Sequence, residues 1–234
     1  MNKSFIEFIK IANKEGLFPR FSSNGKLLVP QLIDRLSEHR FLASIDFSSE
    51  RDVFDQIRGK KGDYDIVLQN LLYLIEKAKI YPWVNIEIVD ITHFLGKNNI
   101  ERSLEKMRKL FSPKLPQNIK LLSREFHNFC GHLDKDKKSD TYKLCPYPWT
   151  FFAVTWDGNV VACCRDTRAK TVLGNIFEQS VFDIWLGDKY KLFRQKLIQK
   201  KPQDIAACAS CDLPWSSGDN RWKIKYIFSS MLRR

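Results

Sequence analysis

The first 129 residues contain no cysteine, although the chain of 234 residues has six. Nor does it contain a run of about eighteen apolar residues, which excludes a membrane-spanning helix. The opening Met1-Asn2-Lys3-Ser4 leads into a segment carrying Glu7 and Lys10 instead of an apolar signal core, so the expected compartment is cytoplasmic. What the chain does have is apolar content of 44%, enough to build a core and to exclude a wholly disordered polypeptide.

Lys and Arg total 39 against 27 Asp and Glu, a formal net charge of +12. The lysines are scattered over the pattern, as on a solvated surface, whereas nucleic-acid binding asks for a basic stripe with interleaved aromatics. The nearest approach to such a stripe is Arg221-Trp222-Lys223-Ile224-Lys225-Tyr226-Ile227 through Arg233-Arg234. Packing of those aromatics on their own domain is the expectation, and nucleic acid is not an expected partner.

The first half alternates helix and strand. Ser4 with Glu7 reads as a capping box for a helix with Phe5, Ile6, Ile9 and Ala12 on one face, stopped by Gly16. A strand over 17–22, a helix opened by Pro30 and a strand over 41–47 follow. Asp63 is expected to cap a long helix to Ile80. A strand over 84–91, a helix from Ile100 to Phe111 and a strand over 118–122 complete the half. Strands separated by helices of this length pair in parallel with right-handed crossovers, which makes the fold α/β. The charged run Asp134–Asp140 reads as a linker. Beyond it, 150–156 and 159–164 flank the turn signal Asp157-Gly158 as a hairpin, and Ser180 with Asp183 opens a helix to about Gln199.

All six cysteines lie after that first half: Cys130, Cys145, Cys163, Cys164, Cys208 and Cys211. In a reducing compartment such thiols point to a metal or cluster site and not to disulfides. Cys208-x-x-Cys211 is a turn that offers two thiolates to one site, and the hairpin brings Cys145 and Cys163 together as two more. Four thiolates suit zinc or an iron–sulfur cluster, and the composition does not choose. Cys163 and Cys164, read as strand neighbours, face opposite ways, so one of them faces the site. Cys130 stands apart as a core or surface thiol.

Cys145-Pro-Tyr-Pro-Trp149, Trp156-Asp-Gly158, Cys163-Cys-Arg-Asp166, Leu173-Gly-Asn-Ile176, Asp183-Ile-Trp185 and Cys208-x-x-Cys211 resemble the SPASM domain, the auxiliary-cluster domain of many radical S-adenosylmethionine (SAM) enzymes. The short form with one four-cysteine cluster is called a twitch domain. No cysteine follows Cys211, so the resemblance implies one auxiliary [4Fe–4S] cluster, held by Cys145, Cys163, Cys208 and Cys211. Ser22-Ser-Asn-Gly25, Ala43-Ser-Ile-Asp46 and Ile57-Arg-Gly59 resemble the SAM-side strand ends of the family's partial barrel. By that resemblance Ser44, Asp46 and Arg58 lie near the nucleoside or carboxylate of SAM.

Neither the family's C-x-x-x-C-x-x-C loop, which holds the catalytic cluster, nor its Gly-Gly-Glu motif occurs in the chain. The expected architecture is a truncated partial (β/α) barrel of about four parallel strands over 1–129, a linker over 130–143 and a small cysteine-rich α+β SPASM/twitch domain over 144–234. The implied function is that of the C-terminal part of a radical SAM enzyme that modifies peptides or proteins and does not cleave SAM alone. A missing barrel half and a peptide or protein substrate are the implied partners. The alternative is a non-catalytic iron–sulfur or zinc-binding module for interaction or electron transfer.

Overall fold

The computed structural model describes residues 4–95, 100–111, 115–124, 127–133 and 141–215. The expected linker run Asp134–Asp140 and the basic segment Arg221–Arg234 lie outside them. The chain divides into two compact units, Met1–Phe126 and His127–Arg234.

In the first unit α1 (Phe5–Lys14), β1 (Arg20–Ser23), α2 (Pro30–Ser37), β2 (Phe41–Phe47), α3 (Arg51–Arg58), α4 (Asp63–Ile80), β3 (Val84–Asp90), α5 (Ile100–Phe111) and β4 (Ile119–Ser123) follow in order. The four strands form one parallel sheet in the order β1-β2-β3-β4. Strand alternation separates its two faces. Phe41, Ala43, Ile45 and Phe47 of β2 are fully buried, in one core with Ile86 and Ile88 of β3 and with Ile33, Leu71, Leu74 and Met107 from the helices. Phe47 anchors this layer, its ring 5.3 Å from Phe54, 5.2 Å from Tyr64 and 5.6 Å from Phe111.

Two expected caps differ. Ser4 takes near-helical angles (φ −89°, ψ 8°) and its side chain does not cap α1; the hydroxyl of an N-cap reaches back only from an extended backbone. Gly62, at φ 90°, occupies the cap of α4, and Asp63 is instead the first helical residue, where its carboxylate pairs with Lys26 at 2.9 Å.

The second unit contains α6 (Tyr147–Thr150), a small antiparallel sheet of β5 (Ala153–Val154), β6 (Asn159–Val161) and β7 (Val172–Asn175), then α7 (Val181–Leu186) and α8 (Asp188–Ile198). The expected hairpin is present but shorter, because Pro146 and the Tyr147–Thr150 turn draw the first residues into a helix. Gly158, at φ 83°, supplies the left-handed residue of its turn. The helix expected from Ser180 to about Gln199 is two helices. Ser180 Oγ accepts the Asp183 N–H at 3.1 Å and starts α7, and extended angles at Gly187 (ψ 168°) break it before α8. Val160, Leu173, Ile184, Tyr190, Phe193 and Leu197 form the core, and Arg194 stacks on Trp185 and Tyr190.

Candidate functional site

The second unit gathers thiols around a turn. The Cys208 N–H donates to Ile205 O at 2.8 Å and the Cys211 N–H to Cys208 O at 3.1 Å, while buried Ile205 and Ala207 fix the turn to the core. β6 ends at Val161, so Cys163 and Cys164 lie in the turn that follows and not on a strand as expected. That turn closes through the Asp166 N–H to Cys163 O at 3.0 Å. The buried Asp166 carboxylate accepts the N–H groups of Lys170 and Thr171 at 2.8 and 3.0 Å. Cys163 is packed against the core and Cys164 is exposed. All six cysteines are free thiols.

Cys145, just before α6, is pushed up to about 12 by burial, which outweighs the Tyr147 N–H; Cys163 and Cys211 add to the rise and Arg165 opposes it. Burial also raises Cys208, with Cys145, Cys211 and Cys163 adding to it. The four thiols expected to act together therefore sit in one another's fields. Arg165 donates to Asp212 at 3.3 Å, a pair only 15% and 10% exposed, beside these sulfurs.

Cys130 is the residue that the spacing failed to place. It is buried, as a core thiol should be, but it is not apart: it lies in one core cluster with Cys163 and Cys211, and its thiol pulls both below the ordinary thiol range. Asn128-Phe129-Cys130-Gly131 carries no C-x-x-C signature, so local sequence offered no signal for it. Among the described residues no three His, Cys, Asp or Glu side chains are drawn together as around a single metal ion.

In the first unit the face of the sheet opposite the core is polar. Ser22, Ser44 and Glu87 are in register across β1, β2 and β3. Glu87 Oε2 accepts from Arg20 and Arg124, each at 2.5 Å, and from Ser44 at 3.5 Å; Arg124 also donates to Ser44 Oγ at 3.1 Å. Asp46, two residues along β2, shares that face. Burial raises its carboxyl above the ordinary range, against the nearby charges of Arg58 and Arg124. Arg58 donates from Nη2 to the Asp46 carbonyl at 3.0 Å, and its buried Nε has no hydrogen-bond partner among the described residues. Ser44, Asp46 and Arg58 thus occupy one region, near the carboxyl ends of the strands. Glu87 and Arg124 belong to the same network and had no motif to announce them.

Comparison with known proteins bears on both units. The SPASM family, described as an iron-sulfur cluster-binding domain, matches residues 145–212. The S-adenosyl-L-methionine-dependent 2-deoxy-scyllo-inosamine dehydrogenase of Niallia circulans is 38% identical over 68 residues, which are 29% of this chain and 27% of that protein. The solved structure of native anSMEcpe with bound AdoMet superposes over 98% of this chain and 75% of its own, with a TM-score of 0.54 at 17% identity. Residues 145–212 thus match an iron-sulfur cluster-binding SPASM domain, and the chain shares the fold of the anSMEcpe structure. A second anSMEcpe structure, with bound AdoMet and Kp18Cys peptide, covers 98% of this chain and 76% of its own at a TM-score of 0.53 and 16% identity. Within the SPASM domain the matched stretch runs from Cys145 to Asp212, the span of the gathered thiols other than Cys130.

Proposed function

We propose that the second unit holds one [4Fe–4S] cluster through Cys145, Cys163, Cys208 and Cys211. The observation that carries this reading is that all four cysteines fall within residues 145–212, which match an iron-sulfur cluster-binding domain, with Cys163, Cys208 and Cys211 packed at one core. Thiolates are the ligands such clusters take, so the donor set fits. The bound cluster would accept or pass an electron. The protein's part is to keep water from it with the packed Tyr190–Phe193 core and to balance thiolate charge with Arg165, which Asp212 holds in place. Each thiol gives up its proton as it binds, so assembly weakens as the solution is acidified.

For the first unit we propose that Ser44, Asp46 and Arg58 contact SAM once a barrel half supplied elsewhere completes the sheet. The unpartnered Arg58 Nε fits a carboxylate, which a guanidinium binds with several donors. β1 pairs with β2 alone among the described strands, which leaves its outer edge open for further strands. Peptide or protein modification is the substrate class, in line with a neighbouring fold solved with a peptide, and the compartment is cytoplasmic. No helix among the described residues is long and apolar enough to cross a membrane. A second reading, a non-catalytic electron-transfer or interaction module, draws on the absence of any cysteine before Cys130.

The test is anaerobic reconstitution with iron and sulfide, followed by metal and acid-labile sulfide analysis. One cluster per chain is expected, lost in Cys145→Ala and Cys208→Ala and kept in Cys164→Ala. Stoichiometric zinc without sulfide would refute the cluster reading. Calorimetry of SAM binding, with and without Arg58→Ala, tests the first unit.

A further inference from the structure

Between β7 and α8 the second unit carries a groove of about 370 Å³. β7 is an edge strand: among the described strands it pairs with β6 alone, so its other side presents backbone groups to a further strand. Residues 170–173 form one wall, and Val172 there is 40% exposed. The other wall is a single face of α8, because Lys189, Leu192 and Lys196 recur at spacings of three and four. Leu192 is 53% exposed, so the groove holds two aliphatic side chains with little cover.

The charge around them is one-sided. Lys170, Lys189 and Lys196 border the groove against a single acid, Asp204. Two of these lysines are held in place: Lys170 Nζ donates to Cys130 O at 2.8 Å, and Lys196 Nζ donates to Asp204 O at 3.0 Å. An ammonium has three protons, so each keeps two donors for a further acceptor. The Ala207 N–H donates to Thr171 Oγ1 at 3.0 Å and ties the stretch after Asp204 to the start of β7. The walls are therefore set before any occupant arrives, which lowers the ordering cost of binding.

These features select among occupants. Single-stranded nucleic acid asks for exposed aromatic rings on which bases stack, and the one ring in this lining, Phe193, is 4% exposed. A basic segment would be repelled by the lysines. An open strand edge, with aliphatic side chains beside fixed cations, suits an extended chain whose carboxylates alternate with apolar side chains.

We propose that this groove docks an acidic, extended segment of a partner protein. The segment adds as a strand to the outer edge of β7, seats an apolar side chain against Val172 and Leu192, and sets carboxylates against Lys170, Lys189 and Lys196. Such docking requires neither a bound cluster nor SAM.

The experiment pans a phage library of random dodecapeptides on the full chain and measures the most enriched peptide by fluorescence anisotropy. Enriched sequences should alternate acids with apolar residues, and added salt should weaken their binding. Lys189 and Leu192 are exposed and lie outside the core. Lys189→Glu and Leu192→Ser should therefore each leave the melting temperature in place while weakening the peptide about fivefold, the scale of one exposed charge pair or one partly covered apolar contact. Methylation of alternate peptide nitrogens, which removes the ladder donors, should weaken it as well. Failure to enrich any peptide, enrichment of basic or acid-free ones, or an affinity that neither variant changes would overturn the proposal. Indifference to methylation would overturn the strand addition. An oligouridylate that binds the parent more tightly than the peptide, and is lost in Lys189→Glu, would make the groove a nucleic-acid site and overturn the acidic partner.

Discussion

The side-chain amide of Asn128 donates to the carbonyl of Ser210 at 2.7 Å, across 82 positions of sequence. The same buried amide serves the N–H groups of Gly131 and Asp212, so it fastens the strained Cys130 segment to the Cys208–Cys211 turn. Asn128→Ala strips the partner from one carbonyl and two amides. With about 1–3 kcal/mol for each buried group left unsatisfied and some relaxation, a loss of about 3 kcal/mol is expected. Urea unfolding of the cluster-free protein, followed by near-ultraviolet signals of the second unit, measures it.

Gly158 carries a different kind of constraint. Its φ of 83° costs a residue with a Cβ about 1–2 kcal/mol. An added Cβ would also meet the Phe177 ring at 2.5 Å, but that side chain is 77% exposed and can swing aside. Asn175 Oδ1, 2.8 Å from the same position, is held by the Phe177 N–H and yields less readily, so Gly158→Ala should destabilise the second unit by more than the backbone cost of about 1–2 kcal/mol in thermal melts. A loss no larger than that cost would mean that the Asn175 side chain moves aside as well.

Asp46 makes stability depend on pH. Its folded carboxyl is raised above the unfolded value, chiefly by burial, so the folded state holds more protons between the two values. Stability is then full in acid below the ordinary carboxylate range. It declines as pH rises through the window up to the folded value and is flat beyond it. Asp46→Asn should remove that decline, making the variant the more stable protein at neutral pH with no advantage in acid. Urea midpoints collected across this range, for both proteins, check the sign.

Incubated alone with SAM and a strong reductant, the reconstituted chain should yield no 5′-deoxyadenosine. Reductive cleavage asks for an iron with a free coordination position, and the second unit offers more thiols than a four-iron cluster needs. Chromatography of the quenched mixture is sufficient. Product that disappears in Cys145→Ala would contradict this expectation.

Much of the fold was legible because its signals are local. Phe41–Phe47 and Ile100–Phe111 were bounded correctly from periodicity, and the parallel order followed from the helices between the strands. The break at Gly187 was not, because Asp183 to Gln199 keeps helical composition on both sides of a single extended residue. The site divided in the same way. Cys208-x-x-Cys211 is a short-range pattern and can be read directly. Cys130 acquires its place from Asn128 contacts with Ser210 and Asp212, residues more than eighty positions distant, and such pairings leave no periodic trace. Glu87 and Arg124 were missed for a similar reason: an alternating strand tells which face a charge lies on, but not which charges share an oxygen.

The distance in sequence between Asn128 and its partners also sets an order of events during synthesis. Until Ser210 and Asp212 have been made, Asn128 lacks both of its distant partners, and the left-handed residues Phe129 and Cys130 have only the Gly131 N–H bond to Asn128 and the Lys170 bond to Cys130 O to hold them. The clasp becomes available only when Ser210 and Asp212 leave the exit tunnel. On the cluster reading proposed above, iron and sulfide enter a finished pocket only after release of that stretch, which makes the nascent chain a poor recipient and the newly completed one the better.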